Sequence, residues 1–281
     1  MSSGNPYQQE AEMSFLQHLE VLRWHLIRSA IAIAIGFIGA FIFGNWIAEN
    51  IVLAHKNPDF ITYRFICKLS AQMAAWFPGI LSADTVCIGQ NLPDRLQNFS
   101  MAGQFMSHIL MALVVGIVVA FPYIVYEIWR FVKPALQNTE RRMARGFVFY
   151  TTVLFLSGIS FAYFLIAPLS VNFFLTYQLT DEIENIPTFS SYVSLVTTLV
   201  ISCGLVFQLP ILIYFLSKMG IVTPRLLKSY RRHALVGTLV LSSVITPPDV
   251  LSQLLVSVPL WILYEISIVI SGAVARKREM N

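Results

Sequence analysis

Apolar residues form six long runs along the chain that contain almost no charged residue. Runs of this kind predict membrane-spanning helices, because a helix satisfies its backbone polar groups internally where water is absent. The pattern therefore predicts an all-α, polytopic membrane protein of six transmembrane helices. The predicted spans are Ser29–Ala48, Leu96–Tyr126, Gly146–Ala167, Ser190–Leu216, Ala234–Ile245 and Val250–Tyr264.

The last two predicted spans are shorter than a bilayer requires. A hydrocarbon core needs roughly 20 helical residues. The fifth run, ending at Thr246, offers roughly 20 Å of helix, and the sixth offers roughly 22 Å before Glu265. A tip of Thr246-Pro247-Pro248-Asp249 joins the two runs. We expect this short hairpin to thin the membrane wall locally.

Composition agrees with a membrane protein, and the distribution of charge indicates its orientation in the membrane. Charged residues make up 12% of the 281 residues, against about 25% in typical soluble domains. Fifteen of the 19 Lys and Arg residues precede span one, follow span six, or lie in the loops after spans two and four. The positive-inside rule therefore predicts that both termini are cytoplasmic. The net charge of +4 follows from this bias, and no nucleic-acid partner is implied.

The whole chain, residues 1–281, reads as a single membrane domain whose main parts outside the lipid are two terminal segments and one long loop. These are a cytoplasmic amphipathic segment at 1–28, an enlarged first outer loop at 49–95 and a cytoplasmic tail at 271–281. Cys67 and Cys87 lie in the first outer loop, where an oxidising compartment makes a disulfide plausible and two unpaired thiols equally so. Cys203 lies in span four and is expected to be a small core residue.

Enzyme signatures are missing from the sequence. It contains no H-E-x-x-H, no G-x-S-x-G and no Walker loop. Its five histidines lack metal-ligand spacing, so each, including His25 and His55, is expected to be an interfacial or packing residue. We therefore expect no catalytic residue, no metal and no cofactor. A secondary transporter of small solutes stays open as an alternative, because such proteins also carry polar residues near the membrane midplane.

Polar residues in and beside the last three spans form one candidate site. Gln208 interrupts an apolar part of span four, Thr246 and Asp249 mark the hairpin tip, and Gln253 begins span six. Polar groups inside a membrane mark functional sites by default. We expect a polar recess that receives a partner helix; the alternative is that these residues only hold spans four and six together.

Two acids on the basic cytoplasmic face form a second candidate site. Ser14–Gln17 has the form of a capping box that opens a helix, with Glu20 shortly after it. Glu140 precedes Arg141-Arg142 in the next cytoplasmic loop. Such carboxylates are suited to accept bidentate hydrogen bonds from an arginine-bearing peptide. Alternatively, Glu140 is simply a first-turn acid stabilised by a helix dipole.

Several short motifs lie along the chain from about residue 14 to 270. They are His18-Leu19-Glu20-Val21-Leu22-Arg23, Trp129–Leu136 leading to Glu140-Arg141-Arg142, Phe161–Phe164, Thr223-Pro224, Thr246–Gln253 and Leu263–Ile266. In order and spacing they resemble the motifs of TatC, the core subunit of the twin-arginine protein translocase. The Thr-Pro-Pro-Asp block and the Pro-to-Glu-Arg-Arg loop are the most specific.

This resemblance implies a cupped six-helix fold in the cell inner membrane and a cytoplasmic face that binds twin-arginine signal peptides of folded cargo. Glu140 matches the acid of the family's first cytoplasmic loop, with Phe131 nearby. Family members also carry an acid where this chain has Val21, and the available carboxylate, Glu20, is one residue earlier. The predicted signal-peptide-binding residues are Glu20, Arg23, Phe131, Glu140, Arg141 and Arg142.

The resemblance also implies partners inside the membrane. TatA- and TatB-type single-span subunits would dock near Gln253, and copies of the receptor would self-associate in the complex. Many members have a glutamate where this chain has Gln208, which can hydrogen-bond but cannot ionise. The predicted docking residues are Gln208, Thr246, Asp249 and Gln253.

Overall fold

Helices account for almost all of the chain that the computed structural model describes, which is residues 15–76, 96–132, 144–178, 180, 187–246 and 250–279. Short helical turns at Gly44–Ile47, Ala48–Val52, Leu53–Lys56 and Ala162–Ile166 join some of the longer helices. The longer helices are α1 Phe15–Ile42, α2 Ile61–Trp76, α3 Gly103–Val132, α4 Ala144–Phe161, α5 Ala167–Thr176, α6 Phe189–Val206, α7 Leu209–Lys218, α8 Pro224–Ser229, α9 Arg231–Ile245 and α10 Val250–Glu279.

Five stretches of the described chain are long and apolar enough to cross a membrane. They correspond to predicted spans one to four and six, and so confirm the all-α class and the multi-pass arrangement. Predicted span five lies in α9, whose 15 residues give about 22 Å of helix. The five stretches are Leu19–Ile42, Gly103–Val132, Gly146–Thr176, Phe189–Lys218 and Gln253–Arg276.

The prediction that the last span is short is wrong. Helix α10 has 30 residues and passes through Glu265, where the predicted span stops. Arg231 Nη2 donates a hydrogen bond to Glu265 Oε2 at 2.6 Å, so the carboxylate is paired where it interrupts the apolar run. From Ile266 to Ala275 the helix contains no charged residue, and it extends well beyond Tyr264.

A break between α6 and α7 positions one of the predicted site residues. Pro210 lies in the first turn of α7, where its missing N–H costs no hydrogen bond. The Gln208 carbonyl accepts the backbone N–H groups of Ile211 and Leu212, which starts the new helix. Gln208 therefore lies at the joint between two half-helices. Pro122 and Pro259 differ, since each lies inside a continuous helix.

Helices α1 and α3 pack along each other over most of their length. They cross at Gly36 and Gly116 so closely that a Cβ atom built on Gly116 would lie 2.6 Å from the Phe37 nitrogen. Small residues are what allow two membrane helices to approach backbone to backbone. Helix α6 packs against both α3 and α4, and α10 packs against α7 and α9.

A buried hydrogen-bond network ties the start of the first outer loop to the helical turn Ala162–Ile166 and to α5. His55 is fully buried, with Nδ1 3.2 Å from the Val52 carbonyl oxygen and Nε2 2.9 Å from the Tyr163 carbonyl oxygen. Tyr63 donates its hydroxyl to the carbonyls of His55 and Pro168, each at 3.0 Å. Burial lowers the pKa of His55, which favours the neutral ring. The expectation that His55 is a packing residue agrees with these contacts.

Candidate functional site

A buried hydrogen-bonded pair of side chains joins α1 to α3 towards the carboxyl end of α3. His25 Nδ1 lies 2.5 Å from Glu127 Oε2, and the two residues are 102 positions apart in the chain. Glu127 is 1% exposed and His25 is 9% exposed. A charged group this deeply buried needs a partner that compensates its lost hydration. The pair therefore fixes how the start of α1 lies against α3.

Three further side chains surround the Glu127 carboxylate and its histidine partner. Arg28 Nη1 lies 3.9 Å from Glu127 Oε2, and the Tyr123 hydroxyl interacts with the same carboxylate. The edge of the His25 ring meets the Phe131 ring, with centroids 6.0 Å apart. We call His25, Arg28, Tyr123, Glu127 and Phe131 the α1–α3 polar cluster.

The structure brings only part of the predicted peptide site together. Phe131 of α3 is half-buried, and its ring contacts the ring of His25 in α1. Glu20 and Arg23 occupy exposed positions of α1 within two turns before His25. Glu140, Arg141 and Arg142 lie outside the described residues. The described part is therefore an exposed charged helix end that rests on the α1–α3 polar cluster.

Glu127 is a site residue that the sequence prediction misses. The predicted second span ends at Tyr126, which leaves Glu127 just outside it, and His25 is expected only to pack. A signal was nevertheless present, because Glu127 is the only acid in Gly103–Val132 and apolar Ile128 and Trp129 follow it. An ionisable residue inside a span is a functional candidate by default.

The Gln208 side chain reaches from the joint between α6 and α7 to α4 and leaves its amide oxygen unpaired. Its Nε2 is 3.4 Å from the Thr151 carbonyl oxygen, a long bond. Its Oε1 is buried and has no hydrogen-bond partner among the described residues. The same holds for the hydroxyl of Thr152, which follows Thr151 in the chain. The joint therefore offers an acceptor that a donor from outside the described residues would satisfy.

The other docking residues belong to the α9–α10 hairpin. Gln253 Nε2 donates to the Leu239 carbonyl at 3.2 Å, and buried Thr246 donates to the Ser242 carbonyl at 2.8 Å. Asp249 lies outside the described residues. At least one amide N–H of Gln253 therefore acts inside the hairpin, as the alternative of a purely structural role expects.

The described contacts do not bring Gln208 and Gln253 together. Ser217 donates to Ser271 at 2.8 Å, which fixes the register of α7 against α10. Gln208 precedes this contact by nine residues and Gln253 by 18, so on parallel helices the two amides lie about 14 Å apart along the axis. They are better described as two polar positions than as one recess.

The two cysteines within the described residues differ in state: one is a free thiol and the other is in a disulfide. Cys203 is a free, buried thiol in α6, and its backbone carbonyl lies against Gly158 of α4. Cys67 lies in α2 and is disulfide-bonded. Cys87 lies outside the described residues, so the pairing of Cys67 with Cys87 stays a prediction.

The five long apolar helices, with polar side chains buried between them, define a polytopic helical membrane protein. Residues 17–259 match the family model described as Sec-independent protein translocase protein (TatC). The chain therefore belongs to the TatC family of Sec-independent protein translocase proteins. A member of that family is a translocase component, so the chain belongs to protein transport rather than to an enzyme class.

Individual relatives cover nearly the whole chain. The TatC protein of Blattabacterium sp. subsp. Periplaneta americana is 38% identical over 272 residues, which cover 95% of this chain and 98% of that protein. TatCy of Bacillus subtilis is 33% identical over 271 residues, covering 96% and 93%. The crystal structure of the twin arginine translocase receptor TatC matches the fold with a TM-score of 0.65 at 32% identity, covering 92% of this chain and 99% of that chain.

Proposed function

We propose that this protein is the receptor and core scaffold of a twin-arginine protein translocase in the cell inner membrane, with both termini in the cytoplasm. It binds twin-arginine signal peptides, docks TatA- and TatB-type subunits and exports folded proteins with proton-motive force. The family match over residues 17–259 carries this proposal. It is supported by the solved relative, which is itself called a twin arginine translocase receptor.

The signal peptide binds at the cytoplasmic face through its arginines. Glu20 and Glu140 accept the planar guanidinium groups in fork geometry, which selects arginine over lysine. Phe131 provides an aromatic wall that is already held against α1 by His25. The predicted binding set also includes Arg23, Arg141 and Arg142, which keep this face basic.

Partner helices dock at the two polar positions inside the membrane. The buried Gln208 Oε1 accepts a hydrogen bond from a polar residue of one partner helix. Gln253, Thr246 and Asp249 form the second position, on the α9–α10 hairpin. Because an amide does not ionise, the interaction at Gln208 is hydrogen bonding rather than proton exchange.

Replacement of Glu140 by alanine is expected to weaken signal-peptide binding by at least tenfold, because hydrogen bonds to a charged group contribute about 1.5–3 kcal/mol. Binding of a fluorescent twin-arginine peptide to the purified protein, together with export of a folded reporter, measures the effect. Glu49→Ala, which removes an exposed acid of the first outer loop, is the matched control. Unchanged binding and export in the Glu140→Ala variant would show that the docking assignment is wrong.

A photo-cross-linking residue at position 253 is expected to form adducts with a single-span partner, because this position faces the proposed docking site. The same residue at position 258, on an exposed part of α10 about 140° around the helix from position 253, is the matched control. Adducts are identified by mass spectrometry of membranes that contain the partner. If position 253 yields only adducts within the chain, Gln253 acts solely as a bond between α9 and α10.

A further inference from the structure

Helix α2 of the first outer loop exposes a row of large apolar side chains. Ile61, Phe65 and Leu69 are 67%, 65% and 43% exposed. They recur every fourth residue, so at 3.6 residues per turn they share an arc of about 80°. A continuous apolar row on an exposed helix marks a surface that contacts something other than water.

The buried side of α2, which begins next to Leu69 on the helical wheel, is fixed to the rest of the protein. Thr62, Tyr63 and Ser70 are buried. The Tyr63 hydroxyl donates to the Pro168 carbonyl of α5, and the Thr62 hydroxyl donates to the Phe164 carbonyl. These bonds hold the helix in one rotation, so the apolar row points outward in a defined direction.

Basic residues form one edge of the same exposed face. Arg64 and Lys68 are exposed, one turn apart, and lie beside the apolar row on the helical wheel. The sequence Ile61–Trp76 contains no acidic residue. An apolar row with a cationic edge is the pattern of a helix that lies in the plane of a membrane interface.

The apolar row is continuous with a membrane-spanning segment. Phe164, whose carbonyl accepts the Thr62 hydroxyl, is 44% exposed and belongs to the span Gly146–Thr176. Phe60, directly before α2, packs on the Phe164 ring with centroids 6.2 Å apart. The exposed surface of this span therefore lies next to the first turn of α2.

We propose that α2 is an interfacial helix that binds the phospholipid surface on the side of the first outer loop. Ile61, Phe65 and Leu69 insert at the boundary between headgroups and acyl chains, and Arg64 and Lys68 contact anionic phosphate groups. The His55 and Tyr63 network then transmits this anchoring to the turn Ala162–Ile166 and to α5. The proposal concerns the first outer loop alone and does not depend on signal-peptide recognition.

The test places the photo-reactive aromatic residue benzoylphenylalanine at position 65 of the full-length protein in vesicles of phosphatidylglycerol and phosphatidylcholine. We expect phospholipid adducts at position 65, several-fold more than at position 71, an exposed residue beyond the basic edge of the helix. Absence of lipid adducts at position 65 would overturn the proposal. Adducts mainly with protein would overturn it too and would identify a protein surface instead.

The charge component is tested in the same vesicles with Arg64→Gln/Lys68→Gln. One cation beside an anionic surface contributes about a fivefold preference, so the unsubstituted pair should favour phosphatidylglycerol adducts and the double variant should not. Equal adduct yields with the two lipids before substitution would overturn the role of the cations. Thermal unfolding of both proteins, expected to be equal, separates this effect from a loss of fold.

Discussion

Gly116→Ala is expected to lower the free energy of unfolding by about 3 kcal/mol, the upper part of the range for overpacked sites. The added Cβ would lie 2.6 Å from the Phe37 nitrogen and 2.9 Å from the Phe37 Cα. Both atoms are backbone, so no side-chain rotation relieves the contact and the whole of α1 must move. Thermal unfolding of the detergent-solubilised protein, followed by its loss of monodispersity, measures the effect.

Gly39→Ala is the matched control for this crossing. Gly39 lies on α1 three residues after Gly36, but a Cβ atom built there meets nothing within 4 Å. Alanine also favours a helix over glycine, so this variant should unfold at the same temperature or slightly higher. A Gly116→Ala variant as stable as Gly39→Ala would show that the α1–α3 packing is looser than the structure indicates.

Most of the membrane architecture is predictable from local sequence, because each span must by itself be apolar and long enough to cross the lipid. Spans one to four follow from apolar length alone. The last span does not, because Glu265 looks like a stop signal until its partner is known. That partner, Arg231, lies 34 residues earlier. Only the pairing of α9 with α10 shows that the carboxylate is neutralised within the helix pair.

For the candidate sites too, the sequence identifies single residues but not the residues that they contact. Gln208 is predictable because a polar residue in an apolar run stands out. Its place at a helix joint, facing Thr151 of α4, depends on how α6 ends and α7 begins. The sequence likewise cannot show that Gln208 and Gln253 are separated along the bundle, because the separation depends on the register of α7 against α10.

Glu127→Ala is expected to destabilise the protein by about 3 kcal/mol, because removal of one partner leaves the other buried and uncompensated. His25, which is 9% exposed, would stay buried but would lose the Glu127 carboxylate oxygen that lies 2.5 Å from its Nδ1. Arg28 and Phe131, which also meet this pair, would lose their fixed surroundings. We expect a lower midpoint of thermal unfolding and weaker binding of a twin-arginine peptide, since α1 carries Glu20.

Two further variants separate the hydrogen bond from simple packing. Glu127→Gln keeps an acceptor for the His25 N–H and should fall between the unsubstituted protein and Glu127→Ala. The double variant His25→Leu/Glu127→Leu removes both polar partners and should recover most of the lost stability.

Peptide binding by this double variant then decides the role of the pair. If binding recovers with stability, the pair positions α1 only by holding it against α3. If binding stays weak in a stable protein, the charges of the α1–α3 polar cluster act on the peptide site directly. Equal unfolding temperatures for Glu127→Ala and the unsubstituted protein would contradict the assignment of this pair as the bond that orients α1.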